Sequence, residues 1–286
     1  MADGLEIGSA AVEIAPAELT GLRLRGTRVL TADMDAFGGF SGLIVRDGRL
    51  LAVSDAGWFL DAPLAELPDG LEPGNAQFFP LTASDGSLLG KSGGDAEGLA
   101  VMDGEIWISF EGDHRVMRLG RAGVVEAIFQ PPAFERLGSN KGLESLASHP
   151  AGGLMAIAEA PGQKGHPVFI WRDGSMRAAY LPADPPFYVT AADFGLDGRL
   201  YLVLRHYSPL TGVRIEIQRF SIDDSGFPDP ATRQRLAAFE SGTGIDNMEG
   251  ISLWQDANGV THLTLISDDN FNRVQRTLLM DFEVLD

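Results

Sequence analysis

Short apolar runs separated by turn residues extend along the chain, and one phrase recurs among them. Its clearest copies are Gly94-Asp-Ala-Glu-Gly-Leu-Ala100, Asn140-Lys-Gly-Leu-Glu-Ser-Leu-Ala147 and Ile245-Asp-Asn-Met-Glu-Gly-Ile-Ser252. Two further copies keep the frame and replace the acid with Ser41 or Thr190. The five copies align at positions 41, 97, 144, 190 and 249, in steps of 56, 47, 46 and 59 residues. A period of about 50 residues is typical of an array built from one repeated supersecondary unit.

Each copy is followed by a hairpin pattern. A turn pair separates two apolar runs, as at Asp47-Gly48, Asp103-Gly104 and Asp197-Gly198. Glycine accepts the positive φ that such turns require. Two further runs follow, for example at 115–119 and 124–129. Four antiparallel strands per unit at this period describe a β-propeller blade.

The sequence therefore predicts an all-β protein, a single β-propeller domain over residues 1–286 with five visible four-stranded blades. A sixth blade could lie in the divergent stretches 56–95 or 220–245. The last unit has only three clear runs, so the strand-like N-terminal segment 19–30 is expected to complete the last blade and close the ring. Residues 1–18 are expected to form a flexible extension, and residues 61–67 and 132–137 are expected to be loop insertions, each able to form a helical turn.

Composition and charge narrow the classes of function. Forty acidic residues against 22 Lys and Arg give a net charge of −18, which repels nucleic acid and anionic membranes and favours divalent cations. No apolar run approaches 18 residues, so membrane insertion is not expected. The absence of Cys excludes disulfides, thiolate catalysis and Cys-ligated zinc. The first residues lack the basic and apolar regions of a signal peptide, and the compartment stays open. The oligomeric state also stays open.

Acidic residues are concentrated at one predicted mouth of the channel. The start of an inner strand and the end of the strand paired with it lie at the same mouth, which would bring carboxylates from several blades together. Calcium neutralises such a cluster well, because it takes six to eight oxygen ligands with flexible geometry. The predicted metal ligands are Asp55, Glu97, Glu111, Glu144, Glu159 and Glu249. The alternative is that each Glu caps backbone amides and holds the blades in register.

The same positions carry candidate substrate-binding and catalytic residues. A metal would polarise an ester oxygen and lower the pKa of a bound water, and histidines or carboxylates could then transfer protons. The candidate catalytic residues are Asp268, Asp269, His114 and His206, and the candidate substrate-binding residues are Arg115, Lys141, Arg205, Asn270 and Arg273. The alternative is that the cations pair with local acids and that the histidines are solvated turn residues.

Several of these motifs resemble the phytase-like bacterial propellers, the family called esterase-like activity of phytase. The resemblance covers roughly residues 20–284, and Ser109-Phe-Glu-Gly-Asp-His-Arg115 and Ser267-Asp-Asp-Asn-Phe-Asn-Arg-Val-Gln-Arg-Thr277 carry it most specifically. The weaker phrases lie at 39–43, 95–99, 140–144 and 247–251. The resemblance implies a periplasmic or secreted propeller with calcium-dependent phosphoesterase or esterase activity. In the fourth unit, the family pattern leads us to expect an acidic and a basic residue at the end of the second strand. The sequence there reads Leu204-Arg-His-Tyr.

Two functions from different classes follow from these observations. The first is metal-dependent hydrolysis of phosphate or other esters at the acidic mouth, with calcium as the expected cofactor and a small anionic ester or phosphate-containing ligand as the expected partner. The second is a non-catalytic propeller that binds an anionic ligand or a protein and contains a structural cation. An enzyme requires an open coordination position on the metal, whereas a structural ion would be enclosed by protein.

Overall fold

The structure, a computed structural model, describes residues 4–15, 18–89, 93–138, 142–210 and 212–285. The strands of these residues form five antiparallel sheets, each with one inner strand that faces a central channel. The predicted all-β propeller with five visible blades is confirmed. Within the described residues, no helix is both long and apolar enough to span a membrane.

The strands are numbered in chain order, and the inner strand of each blade comes first. Blade 1 contains β4 (Phe40–Arg46), β5 (Arg49–Ser54), β6 (Trp58–Leu67), β7 (Gly70–Pro73) and β8 (Gln77–Pro80). Blade 2 contains β9 (Ala96–Met102), β10 (Glu105–Phe110), β11 (Arg115–Leu119) and β12 (Val125–Phe129). Blade 3 contains β13 (Ser145–Ser148), β14 (Leu154–Ile157), β15 (His166–Arg172) and β16 (Ser175–Leu181).

The last two blades include strands from the start of the chain. Blade 4 contains β17 (Tyr188–Phe194), β18 (Leu200–Ser208), β19 (Gly212–Phe220), β20 (Gln234–Phe239) and β2 (Glu18–Leu19). Blade 5 contains β21 (Asn247–Gln255), β22 (Thr261–Asp268), β23 (Thr277–Val284), β3 (Leu22–Thr31) and β1 (Gly8–Ala11). Short 3₁₀ helices lie at Arg121–Gly123, Phe134–Arg136 and Pro230–Thr232.

The ring closes in blade 5, as the sequence predicted. Strand β3 pairs with β23 from Leu30 opposite Thr277 to Leu22 opposite Val284. Strand β1 then pairs with β3 at the outside of the blade, so part of the segment expected as an extension lies on the propeller. Closure removes the open sheet edges that a linear array would expose.

The divergent stretches extend existing blades and do not form a sixth one in the described part of the chain. Residues 58–80 contain β6, β7 and β8, and residues 234–239 form β20. The loop insertion expected at 61–67 is wrong, because these residues belong to β6 and pair with β5 and β7. Pairing with two neighbouring strands overrides a weak local preference. At 132–137 the helical turn is present as a 3₁₀ helix.

The hairpin turns between inner strands and their neighbours have the backbone that the sequence predicted. Asp47 and Gly48 have φ of 51° and 69°, and Asp103 and Gly104 have φ of 55° and 80°. Two consecutive positive φ values characterise the type I′ turn, which matches the twist of the paired strands.

The hydrophobic core lies between the blades. One buried cluster joins Val203 and Ile217 of blade 4 to Leu265 and Met280 of blade 5. Corresponding clusters lie at the other four seams between neighbouring blades. Because every blade packs on two neighbours, the positions of the inner strands around the channel are fixed by the whole ring.

Candidate functional site

A β-bulge turns one polar side chain of an inner strand towards the channel in four of the five blades. In β4, Phe40 pairs with Ser54 and Gly42 with Val53, which leaves Ser41 as the extra residue. The same shift leaves Glu97, Thr190 and Glu249 without a partner in the ladder. A bulge bends the strand and re-aims the extra side chain. In blade 3 the equivalent residue, Glu144, directly precedes β13.

The glycine that follows the recurring Glu or Ser has a packing role. A Cβ at Gly98 would lie 2.8 Å from the backbone nitrogen of Leu146, and one at Gly42 would lie 3.0 Å from that of Leu99. Both contacts are with the inner strand of the next blade. The recurring phrase therefore combines a side chain for the channel with a backbone site where adjacent inner strands approach closely.

These residues converge on a cavity of about 370 Å³ at one mouth of the channel, which we call the acidic mouth. All six predicted metal ligands line it, together with Ser41, Asp95 and Arg205. The carboxylates of Glu97, Glu144 and Glu249 are at most 9 % exposed. The cavity thus gathers seven carboxyl groups around one guanidinium.

Burial and mutual repulsion change the protonation of this cluster. Burial, followed by the charges of Asp268 and Asp95, raises the pKa of Asp55 to about 7. Burial likewise raises the pKa of Glu249 to about 8, although Arg205 opposes the shift. Burial and neighbouring carboxylates also raise the pKa of Glu97 and Glu144 well above the usual range. A bound cation would relieve the cost of ionising these groups.

Arg205 is the one positively charged residue among the described residues that line the cavity, and several acceptors hold it. Its guanidinium lies 3.3 Å from Glu159 Oε1 and donates to Glu249 and to the side-chain oxygen of Asn247. Asn247 in turn donates to Glu249 at 2.9 Å and to Asp268 at 3.0 Å. Burial opposes the charge on Arg205, but the surrounding carboxylates raise its pKa. The predicted catalytic residue Asp268 therefore joins this network, at the edge of the cavity.

One part of the acidic mouth has the spacing of a metal centre. Carboxylate oxygens of Asp95, Glu97 and Glu111 all lie within 4.8 Å of one another. Glu111 Oε1 also accepts a hydrogen bond from the backbone nitrogen of Gly142 at 2.8 Å, which fixes its position. An oxygen-only set of carboxylates fits a hard cation such as calcium.

Sequence reasoning missed two residues of this site, Asp95 and Asn247. Both lie two positions before the recurring Glu, in the copies at 97 and 249. A polar residue at the same distance before the recurring Glu in two copies was a usable signal. The third acidic copy has Gly142 there, which contributes its backbone nitrogen to Glu111.

Two predicted residues near blade 2 lie outside the cavity. Arg115 donates to the backbone oxygens of Asp113 and Gly93 and lies over the ring of Phe110, 4.4 Å from its centroid. These contacts bind its guanidinium to the protein itself. His114 is 6 % exposed, and its Nε2 lies 2.9 Å from the carbonyl oxygen of Gly138.

Four more candidates, all of them described, are also not among the residues that line the acidic mouth. His206 lies beside Phe187, because successive residues of β18 point to opposite faces and Arg205 takes the channel side. Asp269 accepts from the Gly39 nitrogen at 3.1 Å and the Thr277 hydroxyl at 2.9 Å, and so anchors its own loop. Asn270 and Arg273 are exposed in that loop. Lys141 lies outside the described residues.

Comparisons with known proteins agree with this architecture. The model of the phytase-like family, described as esterase-like activity of phytase, matches residues 35–271. No curated protein sequence matches the chain. A solved structure of a protein suggested to be a gluconolactonase is 12 % identical, with a TM-score of 0.51 over 99 % of this chain and 93 % of that one. A Bacteroides uniformis protein suggested to be a 6-phosphogluconolactonase is 15 % identical, with a TM-score of 0.42 over 99 % and 97 %. The first likeness shows the propeller fold.

Proposed function

This chain belongs to the phytase-like family, and we propose that it is a metal-dependent hydrolase of phosphate or other esters that acts at the acidic mouth, with calcium as the metal. The observation that carries the proposal is the convergence of seven carboxyl groups and one arginine on one cavity, counted among its described lining residues. The family match supports the reaction class, and the oxygen-only side chains support the choice of metal.

The residues with the spacing to hold the ion are Asp95, Glu97 and Glu111, whose oxygens lie within 4.8 Å of one another. When bound there, calcium would polarise an ester oxygen and lower the pKa of a coordinated water. The cavity of about 370 Å³ leaves room for a ligand beside these carboxylates. Space for a ligand beside the carboxylates supports an enzyme over a purely structural ion.

The other groups of the cavity have roles that follow from their contacts. Arg205 holds Glu159 and Glu249 in place and offsets part of the negative charge that an anionic ester would meet. Asp55 is half-buried at the rim, and burial raises its pKa to about 7. A carboxyl group in this range can hold or release a proton at its own oxygen near neutral pH, which suits general acid–base work.

Hydrolysis assays with matched variants test the proposal. The protein is stripped with a chelator, reloaded with calcium and assayed with an aryl phosphate, an aryl carboxyl ester and a lactone. We expect at least one substrate to be cleaved faster than in buffer. Because metal activation supplies several kcal/mol, Glu97→Gln and Asp95→Asn should lower that rate by about a thousandfold. The control Glu105→Gln removes an exposed acid at the opposite end of the hairpins and should leave the rate unchanged.

The competing function is a non-catalytic propeller that binds an anionic ligand around a structural cation. The existing contacts of Arg205 with Glu159 and Glu249 are the observation that favours it, since they already use the cavity's positive charge within the protein. If the calcium-loaded protein cleaves none of the three substrate types, while calcium still binds at Glu97, this function replaces the enzymatic one.

A further inference from the structure

A second group of metal-ligand side chains lies at the other mouth of the channel, at the seam between blades 1 and 5. Glu66 is on β6 of blade 1, whereas Asp256 and His262 flank the turn between β21 and β22 of blade 5. One carboxylate oxygen of each acid and one ring nitrogen of His262 lie within 4.8 Å of one another. None of these residues belongs to the recurring phrase or to the acidic mouth.

His262 presents an unpartnered nitrogen to this group. The side chain is 2 % exposed, and its Nδ1 lies 3.1 Å from Asp281 Oδ2. Its Nε2 is buried without a hydrogen-bond partner and lies 3.8 Å from Asp256 Oδ2, beyond hydrogen-bonding distance. A carboxylate at Nδ1 favours the proton on that nitrogen and leaves the lone pair of Nε2 directed at the two acids.

The surrounding contacts hold the imidazole and Asp256 in place. The ring of His262 stacks on Trp254, with 4.3 Å between centroids and 21° between planes. Trp254 Nε1 donates to the Thr264 hydroxyl, which donates to Asp281 at 3.2 Å. Oδ1 of Asp256 accepts a hydrogen bond from the backbone nitrogen of Val260 at 2.8 Å. Histidines that bind metals usually donate their second ring nitrogen to a carboxylate, which fixes the orientation of the ring. Asp281 is placed to accept from His262 in this way.

We propose that Glu66, Asp256 and His262 bind a divalent transition-metal ion of the zinc type across the seam between the first and last blades. Imidazole with carboxylates suits zinc and its neighbours, whereas the oxygen-only acidic mouth suits calcium. Three protein ligands would leave a fourth position for a ligand from a cavity of about 700 Å³ at this second mouth, which Glu66 and Asp256 line. The ion links blade 1 to the blade that closes the ring.

The ion would act where ionic contacts already cross the same seam. Arg28 on β3 lies 3.3 Å from Asp69, which directly precedes β7 of blade 1, and 3.5 Å from Glu72, which lies within β7. A metal bond to ligands from both blades therefore adds to the closure of the propeller, and zinc should raise the melting temperature of the folded protein.

The alternative arrangement contains no metal. Burial opposes the charge on the ring, but Asp281 and then Asp256 raise the pKa of His262. A protonated His262 could therefore bridge Asp281 and Asp256 as an ion pair. The two arrangements differ in the state of Nε2, which carries a proton in the ion pair and a metal in our proposal.

Nitrogen NMR of the histidine side chains distinguishes them. Zinc is added to chelator-treated protein labelled with ¹⁵N-histidine, and the His262 signals are identified by their loss in His262→Gln. We expect zinc to shift the Nε2 resonance of His262. Glu66→Gln should weaken this response by about tenfold or more, and Asp256→Asn should do the same. Glu66 is exposed, so its substitution leaves folding intact.

Glu105→Gln is the matched control, because Glu105 is also an exposed acid at the second mouth but lies in blade 2. It should leave both the NMR response and the zinc-induced rise in melting temperature unchanged. Zinc bound at the acidic mouth would not move the His262 signal, since His262 lies at the other mouth and is not among the described residues that line that cavity. An unchanged Nε2 resonance at saturating zinc, or an equal response in Glu66→Gln, would overturn the proposal.

Discussion

The two mouths of the channel are built from the opposite ends of the same five inner strands, yet their surfaces differ in kind. At the acidic mouth, bulges turn Glu97 and Glu249 inward and the cavity of about 370 Å³ is lined mostly by carboxyl groups. At the second mouth, the inner strands keep a regular register and the cavity of about 700 Å³ includes apolar walls such as Leu99, Val101 and Leu253. The comparison shows that a one-residue irregularity, repeated in four of the five blades, contributes to the difference between a cavity lined mostly by carboxyl groups and one with apolar walls.

The largest expected effect concerns the arginines of the two mouths. Arg205 is 22 % exposed in its side chain and pairs with two carboxylates that are largely buried. Removal of a partner from such a network leaves uncompensated charge, so Arg205→Ala should lower the free energy of unfolding of the metal-free protein by about 3 kcal/mol. Chemical denaturation at neutral pH measures this change.

Arg46 provides the comparison at the second mouth. It lines that cavity, but its pair with Asp47 is exposed, with 59 % and 84 % of the two side chains accessible. Exposed pairs contribute little, so Arg46→Ala should change the stability by less than about 0.5 kcal/mol. Equal losses in the two variants would contradict the distinction between the mouths.

Calcium should stabilise the protein through the acidic mouth alone. At a hundredfold excess over its dissociation constant, a ligand that binds only the folded state stabilises it by about 2.7 kcal/mol. Glu97→Gln and Glu249→Gln should reduce the calcium-induced rise in melting temperature, because each removes a charged oxygen from the cavity. Calorimetry of chelator-treated protein with and without calcium measures the effect.

Asp47→Asn tests whether that response is local. Asp47 is an exposed acid of the second mouth, and it lines the larger cavity. Each of the substitutions Asp47→Asn and Glu97→Gln replaces one carboxyl group with a neutral amide. A full calcium response in Asp47→Asn and a reduced one in Glu97→Gln would therefore assign the ion to the acidic mouth. The same reduction in both variants would instead indicate a general effect of net charge.

Glycine has a different role at each mouth, and substitutions should separate the two roles. A Cβ at Gly98 would lie 2.8 Å from the backbone of the next blade, so Gly98→Ala should cost about 2 kcal/mol through overpacking. Gly104 has open space around it but a φ of 80°, so Gly104→Ala should cost about 1 kcal/mol of backbone strain. Asparagine tolerates that backbone, so Gly104→Asn should cost less. A greater loss in Gly104→Ala than in Gly98→Ala would contradict the close approach of the inner strands.

The fold and the acidic mouth could be predicted from the sequence because both repeat. Asp-Gly turns mark the hairpins, and the recurring Glu marks the starts of inner strands, so period and pattern together specify which carboxylates converge. The closing strand was predictable because the last unit has only three runs. These signals are local and need no knowledge of distant contacts.

The remaining features depend on contacts between distant parts of the chain. Arg115 has the sequence context of a ligand-binding arginine. In the structure, however, its guanidinium donates to the carbonyl oxygen of Gly93 and lies over the ring of Phe110. His206 could have been set aside from the alternation of β18 alone, since Arg205 precedes it. Glu66 and His262 come together only because the first and last blades are neighbours in a closed ring.

A further expected effect depends on pH and concerns Asp193, one of the carboxyl groups at the second mouth. Asp193 accepts hydrogen bonds from the backbone nitrogens of Leu253 at 2.7 Å and Phe194 at 2.8 Å, yet burial raises its pKa to about 7 from 3.8. The unfolded chain loses this proton near pH 4 and the folded chain loses it near pH 7. Ionisation therefore increasingly disfavours the folded state as the pH rises between these values.

Asparagine carries no charge at any of these pH values, so Asp193→Asn removes that dependence. The stability of the variant relative to the original protein should be lowest below pH 4, rise between pH 4 and pH 7, and level off above pH 7. Because the side chain is partly exposed to the cavity, we expect a total rise of about 1 to 2 kcal/mol, less than the full shift implies. Gln255→Ala, a neutral change at the same mouth, should give a difference independent of pH. Denaturation curves from pH 4 to 8 measure both, and a relative stability of Asp193→Asn that falls with pH would show that the hydrogen bonds from Leu253 and Phe194 outweigh the cost of burial.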